Sequence, residues 1–199
     1  VADHYYEQTP TTKHDRQMHE TVLRGHKFRF MTDAGVFSKT GIDYGSRVLI
    51  DNIEVPVNAD VLDVGCGYGP IGLTIARIAE QGHVTMVDIN ERAIELATEN
   101  AKLNQVSNVT IVQSNVFEAV LDRKFDVIVT NPPIRAGKAI VHRILEEGAE
   151  LLKPGGSMWV VIQKKQGAPS AEAKLETIFG NVEEVTKDKG YRILKAVKE

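Results

Sequence analysis

Three polar side chains, Asp63, Asp88 and Asn131, each fall at the end of a short apolar run. The first opens DVGCGYGPIG (63–72), with glycines at 65, 67, 69 and 72. Glycines so spaced clear the backbone of Cβ atoms where a ligand meets a helix N-terminus. Residues 67–72 also fit the spacing GxGxxG of dinucleotide sites. An acid at position 63 repels a pyrophosphate, however, and suits a ligand that carries an ammonium and a sulfonium. Asp63 therefore favours S-adenosylmethionine over NAD. Asp88, ending HVTMVD, can accept hydrogen bonds from two ribose hydroxyls, although a strand-end Asp also serves as a helix N-cap. Asn115 follows the next apolar run, where an adenine edge could be bonded, or where a turn could need it.

The ninemer TNPPIRAGK (130–138) poses a different chemistry. Prolines cannot donate to a sheet ladder, so Pro132 and Pro133 end a strand and leave their carbonyls as acceptors. The Asn131 side-chain oxygen is a second neutral acceptor beside them. Two acceptors of this kind can grip the N–H bonds of an exocyclic amino group and aim the nitrogen lone pair. In-line transfer then depends on alignment more than on a strong base.

Such groups need a scaffold that brings loop ends together. ADVLDV (59–64), HVTMVDI (83–89), NVTIVQ (108–113), FDVIVT (125–130) and SMWVVIQ (157–163) read as buried parallel strands. Helical patterns lie between them: Ile71, Ile75 and Ile78–Ala79 on one face, then Ala93, Ile94, Ala97, Ala101 and Leu103. A third runs from Ile140 through Ile144, Leu145, Gly148, Leu151 and Leu152, and KPGG (153–156) is expected to stop it. A last helix near 169–180 precedes VEEVTK (182–187) and YRILKAV (191–197), which can pair across DKG. The expected fold is α/β: a doubly wound, Rossmann-like sheet of seven strands, mostly parallel, with an antiparallel C-terminal hairpin. Residues 1–58 form an expected N-terminal cap, and residues 59–199 the main domain. In the cap, KFRFMT (27–32), a DAG turn and VFS (36–38) suggest a hairpin, and 42–53 a helix.

Bulk properties narrow the function classes. The chain has 199 residues, a net charge of −3 and one cysteine, Cys66. One cysteine allows no internal disulfide and fits a reducing, cytoplasmic setting. No apolar run suits a membrane helix, and the N-terminal stretch lacks the apolar core of a secretory signal. The charge balance argues against a basic nucleic-acid coat, yet the basic residues gather in the flanks outside the central segment. His14, His19 and His26 do not fall at metal-ligand spacing with cysteines or carboxylates, so no metal is expected.

DVGCGYG, VDIN and TNPPI, in this order, resemble class I S-adenosylmethionine-dependent methyltransferases that modify amino groups. GVFSKTGIDYGSRVLI, DVGCGYGPIGL, NPPIRAGK and LKPGG look like the small-subunit ribosomal RNA guanine-N2 methyltransferase family, across nearly the whole chain. The likeness is to that family's catalytic domain alone. It implies that Asp63, Gly65, Cys66, Gly67 and Gly69 hold the cofactor, with Asp88 on its ribose. Ile89, Asn115 and Val116 complete that site, and Asn131 with Pro132 and Pro133 grips the guanine amino group. It also implies that GVFS (35–38) folds over the site and that ribosomal RNA or the small ribosomal subunit is the partner.

Ile134 departs from the Tyr or Phe that many amino methyltransferases place after NPP to stack on a flipped base. Phe37 is a candidate replacement ring. Arg135, Lys138, Lys164 and Lys165 are expected at the same rim as Asn131, along an RNA backbone. Three rival readings stand beside this one. They are transfer to adenine N6 or a protein glutamine amide, an RNA-binding protein of this fold without catalysis, and an NAD-dependent oxidoreductase. The oligomeric state is left open.

Overall fold

Aliphatic and β-branched runs make the strands, and their alternation decides which helix covers which face. The computed structural model describes residues 9–36, 41–133, 135 and 137–199. Strands β1 (Gln17–Leu23) and β2 (His26–Thr32) lead to helix α1 (Tyr44–Asn52). There follow β3 (Asp60–Val64), α2 (Pro70–Ile78), β4 (His83–Asp88), α3 (Glu91–Leu103), β5 (Val109–Gln113) and β6 (Phe125–Thr130). The chain closes with α4 (Lys138–Glu150), β7 (Leu152–Gln163), α5 (Ala168–Phe179), β8 (Glu183–Asp188) and β9 (Tyr191–Val197).

The main sheet has seven strands in the order β5-β4-β3-β6-β7-β9-β8. β5, β4, β3, β6 and β7 run parallel, and β9 is antiparallel to both β7 and β8, as the alternating pattern and closing hairpin predicted. Side chains alternate between two apolar clusters with period two. Val61, Val127 and Val129 join the cluster under α1, α2 and α3, whereas Leu62, Ile128 and Val160 join the one under α4 and α5. From β3 the chain winds one way through β4 and β5, and the other way through β6 and β7. The switch point therefore lies between β3 and β6, where open α/β sheets bind ligands beyond the strand carboxyl ends.

Two sequence expectations are corrected. The N-terminal hairpin pairs β1 with β2, with Leu23 opposite His26, so KFRFMT is the second strand of a hairpin whose first strand the sequence did not announce; the expected VFS strand (36–38) extends outside the described residues. The turn is Arg24–Gly25, with φ of 52° and 79°. Positive φ at both turn residues matches the twist of a two-residue hairpin, but arginine is not the residue that announces it. β1, QMHETVL, is mostly exposed and shows no apolar alternation to mark it. The second correction concerns KPGG, which lies inside β7 and not as a helix stop. α4 ends at Glu150, Leu152 already pairs with Phe125, and the register shifts before Val127 meets Ser157. The prolyl-glycyl segment occupies that irregularity, where proline is tolerated.

The hairpin is fastened to the main sheet by packing and by amides. Phe28 and Phe30 are buried and stacked with centroids 5.4 Å apart, and Phe30 meets Tyr68 of the glycine loop edge-on at 5.6 Å. Burying each such ring contributes roughly 1.5–3 kcal/mol. Asn100 of α3 donates to the carbonyls of Met31 (3.0 Å) and Tyr68 (2.8 Å) and accepts from the Met31 amide (2.8 Å). One buried side chain thus ties β2, α3 and the glycine loop. No helix among the described residues is long and apolar enough to cross a membrane.

Candidate active site

Sheet register sets the site. Val64 pairs with Val87 on one side and with Thr130 on the other. The next residue on each strand or its exit is Gly65, Asp88 and Asn131, which therefore stand in one row at the carboxyl ends of three adjacent strands. A single pocket is lined by Gly65, Asp88, Ile89, Val116 and Pro133, together with Val64, Val87, Ser114 and Ile144. Beside it, Ile89, Gln113, Ser114, Asn115 and Glu118 surround a second cavity of about 310 Å³.

Glycine shapes the loop after β3 in two ways, by backbone conformation and by packing. Gly67 has φ of 58°, and a Cβ added there would meet no atom within 4 Å, so its backbone faces space that a ligand can enter. At Gly72 the constraint is packing: a Cβ would lie 2.7 Å from Met86 Cγ and 2.8 Å from Asp63 Oδ2. Gly69 caps α2 without a side chain, and Pro70 starts the helix where a missing N–H is harmless.

Asp88 is 3 % exposed and accepts from the Gly67 amide (2.8 Å) and the Asn90 amide (2.9 Å), one on each oxygen. Asn90 caps α3 through Ala93 and donates to the Gly35 carbonyl at 2.7 Å, fastening the segment before α1 to the Asp88 loop.

Asp63 sits one residue below the row and is 1 % exposed, beneath the glycine loop. Neither of its oxygens has a hydrogen-bond partner. Burial pushes its carboxyl up to about 7; the nearby Gly72 amide opposes this without closing a bond, and the Asp88 charge adds to it. An orphaned acid beside a second acid is a site for a cation, which fits the ammonium and sulfonium of S-adenosylmethionine and not a pyrophosphate. Cys66 is buried in the same loop, and burial, with Asp88 and Asp63, raises its thiol well above the usual range. It remains a neutral apolar wall.

Asn115 is exposed and its carbonyl accepts from Glu118 at 3.2 Å. Val116 has φ of 55° and is buried. A β-branched residue with left-handed backbone is strained, and such strain gathers at functional sites.

Asn131 is half-buried. Its amide nitrogen donates to Asp43 Oδ2 (3.1 Å) and to Ser46 Oγ (2.9 Å), both at the start of α1. Both belong to DYGS (43–46), a stretch for which the sequence implies only family likeness and no role. Their spacing does signal a helix N-cap, since Asp43 accepts from the Ser46 amide. The link to Asn131 leaves no local trace. Arg135 and Lys138 are exposed just after the motif, and Lys164 and Lys165 are exposed past the end of β7, at the same end of the sheet. Phe37 and Ile134 lie outside the described residues.

Four cations between residues 189 and 198 are engaged within the fold. Arg192 pairs with Glu172 and Glu184, Lys195 covers Trp159 at 5.1 Å, and Lys189 covers Tyr44 at 4.8 Å. Lys198 donates to the Ala149 carbonyl at 2.8 Å. Among the described residues no group of three or more His, Cys, Asp or Glu is placed to hold a metal ion.

Comparison with known proteins yields three kinds of match. The family described as "Methyltransferase small domain" matches residues 27–195. The chain is 52% identical to "Uncharacterized protein YbxB" of Bacillus subtilis over the full length of both. It is 31% identical to "Ribosomal RNA small subunit methyltransferase C" of Vibrio cholerae, over 88% of this chain and 51% of that one. Among solved structures, the T. thermophilus 16S rRNA N2 guanine methyltransferase (RsmC), in complex with AdoMet and guanosine, superposes with a TM-score of 0.82. Identity there is 27%, over 96% of this chain and 52% of that one. The chain thus spans about half the length of these two ribosomal RNA methyltransferases.

Proposed function

The chain belongs to the methyltransferase small domain family, and on that premise we propose that it methylates the exocyclic N2 amino group of a guanine in ribosomal RNA. The observation that carries this reading is the row of Gly65, Asp88 and Asn131 at the carboxyl ends of β3, β4 and β6, which brings the glycine loop beside the NPP motif. Its cofactor, S-adenosylmethionine, supplies an electrophilic methyl on a sulfonium, whose C–S bonding pair returns to sulfur as an amine lone pair forms the new N–C bond.

The protein's own part is to bind, align and accept. Gly65, Gly67 and Gly69 let the ligand reach the loop backbone, and Cys66 walls it. Asp88 accepts from ribose hydroxyls at the end of β4, while Ile89, Asn115 and Val116 flank the adenine. Asn131 Oδ1 and the Pro132 carbonyl accept the two N–H bonds of the guanine amino group, and Pro133 presents its ring to the pocket. The nitrogen proton becomes acidic as the N–C bond forms and passes to water, so alignment outweighs basicity. RNA, as rRNA or the small ribosomal subunit, runs over Arg135, Lys138, Lys164 and Lys165, in the cytoplasm.

The direct test is incubation with methyl-labelled cofactor and ribosomal RNA from cells lacking the protein. Label is expected in N2-methylguanosine of the small-subunit RNA. Label in N6-methyladenosine, in protein, or in neither RNA subunit overturns the reading.

Two further expectations arise here. Lys164→Glu with Lys165→Glu is expected to weaken RNA binding and to lower the slope of log affinity against log salt by about 1–2. An unchanged slope and affinity remove these lysines from the RNA path. The second concerns pH. Cationic cofactor favours ionised Asp63, whose carboxyl lies near 7 in the free protein. Affinity should therefore rise with pH up to about 7 and level above it, with proton release on binding below that point. Asp63→Asn should flatten the profile in calorimetry. In the free protein the sign is opposite. The raised carboxyl favours the fold at low pH, and this contribution is lost as pH rises from about 4 to about 7.

A further inference from the structure

We propose that Asp43, with Ser46, is the positioning residue of the methyl-transfer site: it fixes the Asn131 carboxamide so that its oxygen, not its nitrogen, meets the substrate. The inference rests on the function proposed above and adds residues from the N-terminal cap to its machinery.

An asparagine side chain is nearly symmetric in shape, and its two ends do opposite things. Only the oxygen can accept the N–H bonds of an amino group; a flipped carboxamide would offer its own N–H bonds and repel them. Something must therefore choose the orientation. An ionised carboxylate only accepts, so Asp43 Oδ2, 3.1 Å away, requires Asn131 to turn its nitrogen toward α1. Ser46 Oγ takes the second amide proton at 2.9 Å. With both protons committed, Oδ1 is the end that faces away from α1. Flipping would set that oxygen against the Asp43 carboxylate.

Asp43 is itself held. Its Oδ2 also accepts from the Ser46 amide at 3.1 Å, and its carbonyl accepts from the Arg47 amide at 3.1 Å, as the N-cap of α1. Gly45 keeps α1 close to the sheet, since a Cβ there would lie 2.8 Å from the Tyr191 ring. The start of one helix in the cap thereby sets the rotamer of a side chain 88 residues away. A charge-assisted hydrogen bond to the amide nitrogen also draws electron density toward Oδ1 and makes it a better acceptor.

Capping and positioning can be separated, because serine caps a helix about as well as aspartate but is too short to reach Asn131. Asp43→Ser and Ser46→Ala, in the full chain, are compared with wild type. The substrates are labelled S-adenosylmethionine and small-subunit rRNA from cells lacking the protein. Asp43→Ser with Ser46→Ala is expected to lower kcat at least tenfold. The thermal midpoint, cofactor affinity and RNA KM should stay close to wild type. In an Asn131→Ala background the same pair should cost nothing further. A drop below tenfold, or an equal drop in the Asn131→Ala background, overturns the proposal.

Should wild-type protein modify no guanine at all, the function proposed above fails, but the contact is still measurable. The Asn131 side-chain amide protons, assigned by their loss in Asn131→Asp, should exchange slowly with solvent and exchange faster in Asp43→Ser. Unchanged exchange overturns the positioning role without reference to activity.

Discussion

Asn131→Ala is expected to reduce kcat for methyl transfer by about 10²–10³-fold, the range seen when one aligned hydrogen-bonding group is removed from a reacting centre. Cofactor affinity should hardly change, because Asn131 follows β6 while the cofactor loops follow β3, β4 and β5. The substitution leaves the Pro132 carbonyl as a lone acceptor, so the amino group can rotate and its lone pair loses direction. It also leaves the Asp43 carboxylate without the amide that now contacts it at 3.1 Å. Asp43 is half-exposed and still caps α1, so the fold should tolerate the change, and the thermal midpoint checks this. Single-turnover transfer measured beside cofactor titration decides the matter. Turnover at the wild-type rate would end the proposed grip.

Asp88→Ala is expected to weaken S-adenosylmethionine binding by about 10²-fold or more, since hydrogen bonds to a charged acceptor contribute roughly 1.5–3 kcal/mol each. This substitution reaches the fold as well. The Gly67 and Asn90 amides both lose their acceptor, and a buried N–H left unpaired costs about 1–3 kcal/mol. Asp88→Asn separates the two effects. It keeps one acceptor oxygen and most of the volume, so the loop should stay near its present path while the charge is lost. Calorimetry on both variants, with thermal unfolding as the control, is the measurement. Equal affinity in Asp88→Asn and Asp88→Ala would show that the charge matters more than the loop. Wild-type affinity in both would remove the ribose role.

The centre of the main sheet was legible because β3, β4 and β6 are buried on both faces and carry a strong, local signal. ADVLDV, HVTMVD and FDVIVT are continuous in hydrophobicity, and each is followed by loop chemistry that ends it. β1 was not legible, because an exposed strand needs no apolar alternation and its Arg24–Gly25 turn lacks the usual residue types. KPGG misled for a related reason. Proline and glycine stop helices and also fill sheet irregularities, and only the pairing of Leu152 with Phe125 distinguishes the two.

The sequence by itself determined the order of strands and helices from β3 onward, the glycine loop, and the acids and amide that close three of the strands. These are local facts, carried by residue type and by periods of two and 3.6. The tertiary structure decided what those residues can do. Register between β3, β4 and β6 put Gly65, Asp88 and Asn131 in one row. Packing of α2 on β3 took Asp63 out of water and pushed its carboxyl up to about 7. Docking of α1 against β7 and β9 brought its start to the end of β6 and gave Asn131 two acceptors for its amide nitrogen, and with them a direction. Burial, register and orientation are properties of neighbours distant in the chain, so no stretch of sequence around any one of these residues contains them.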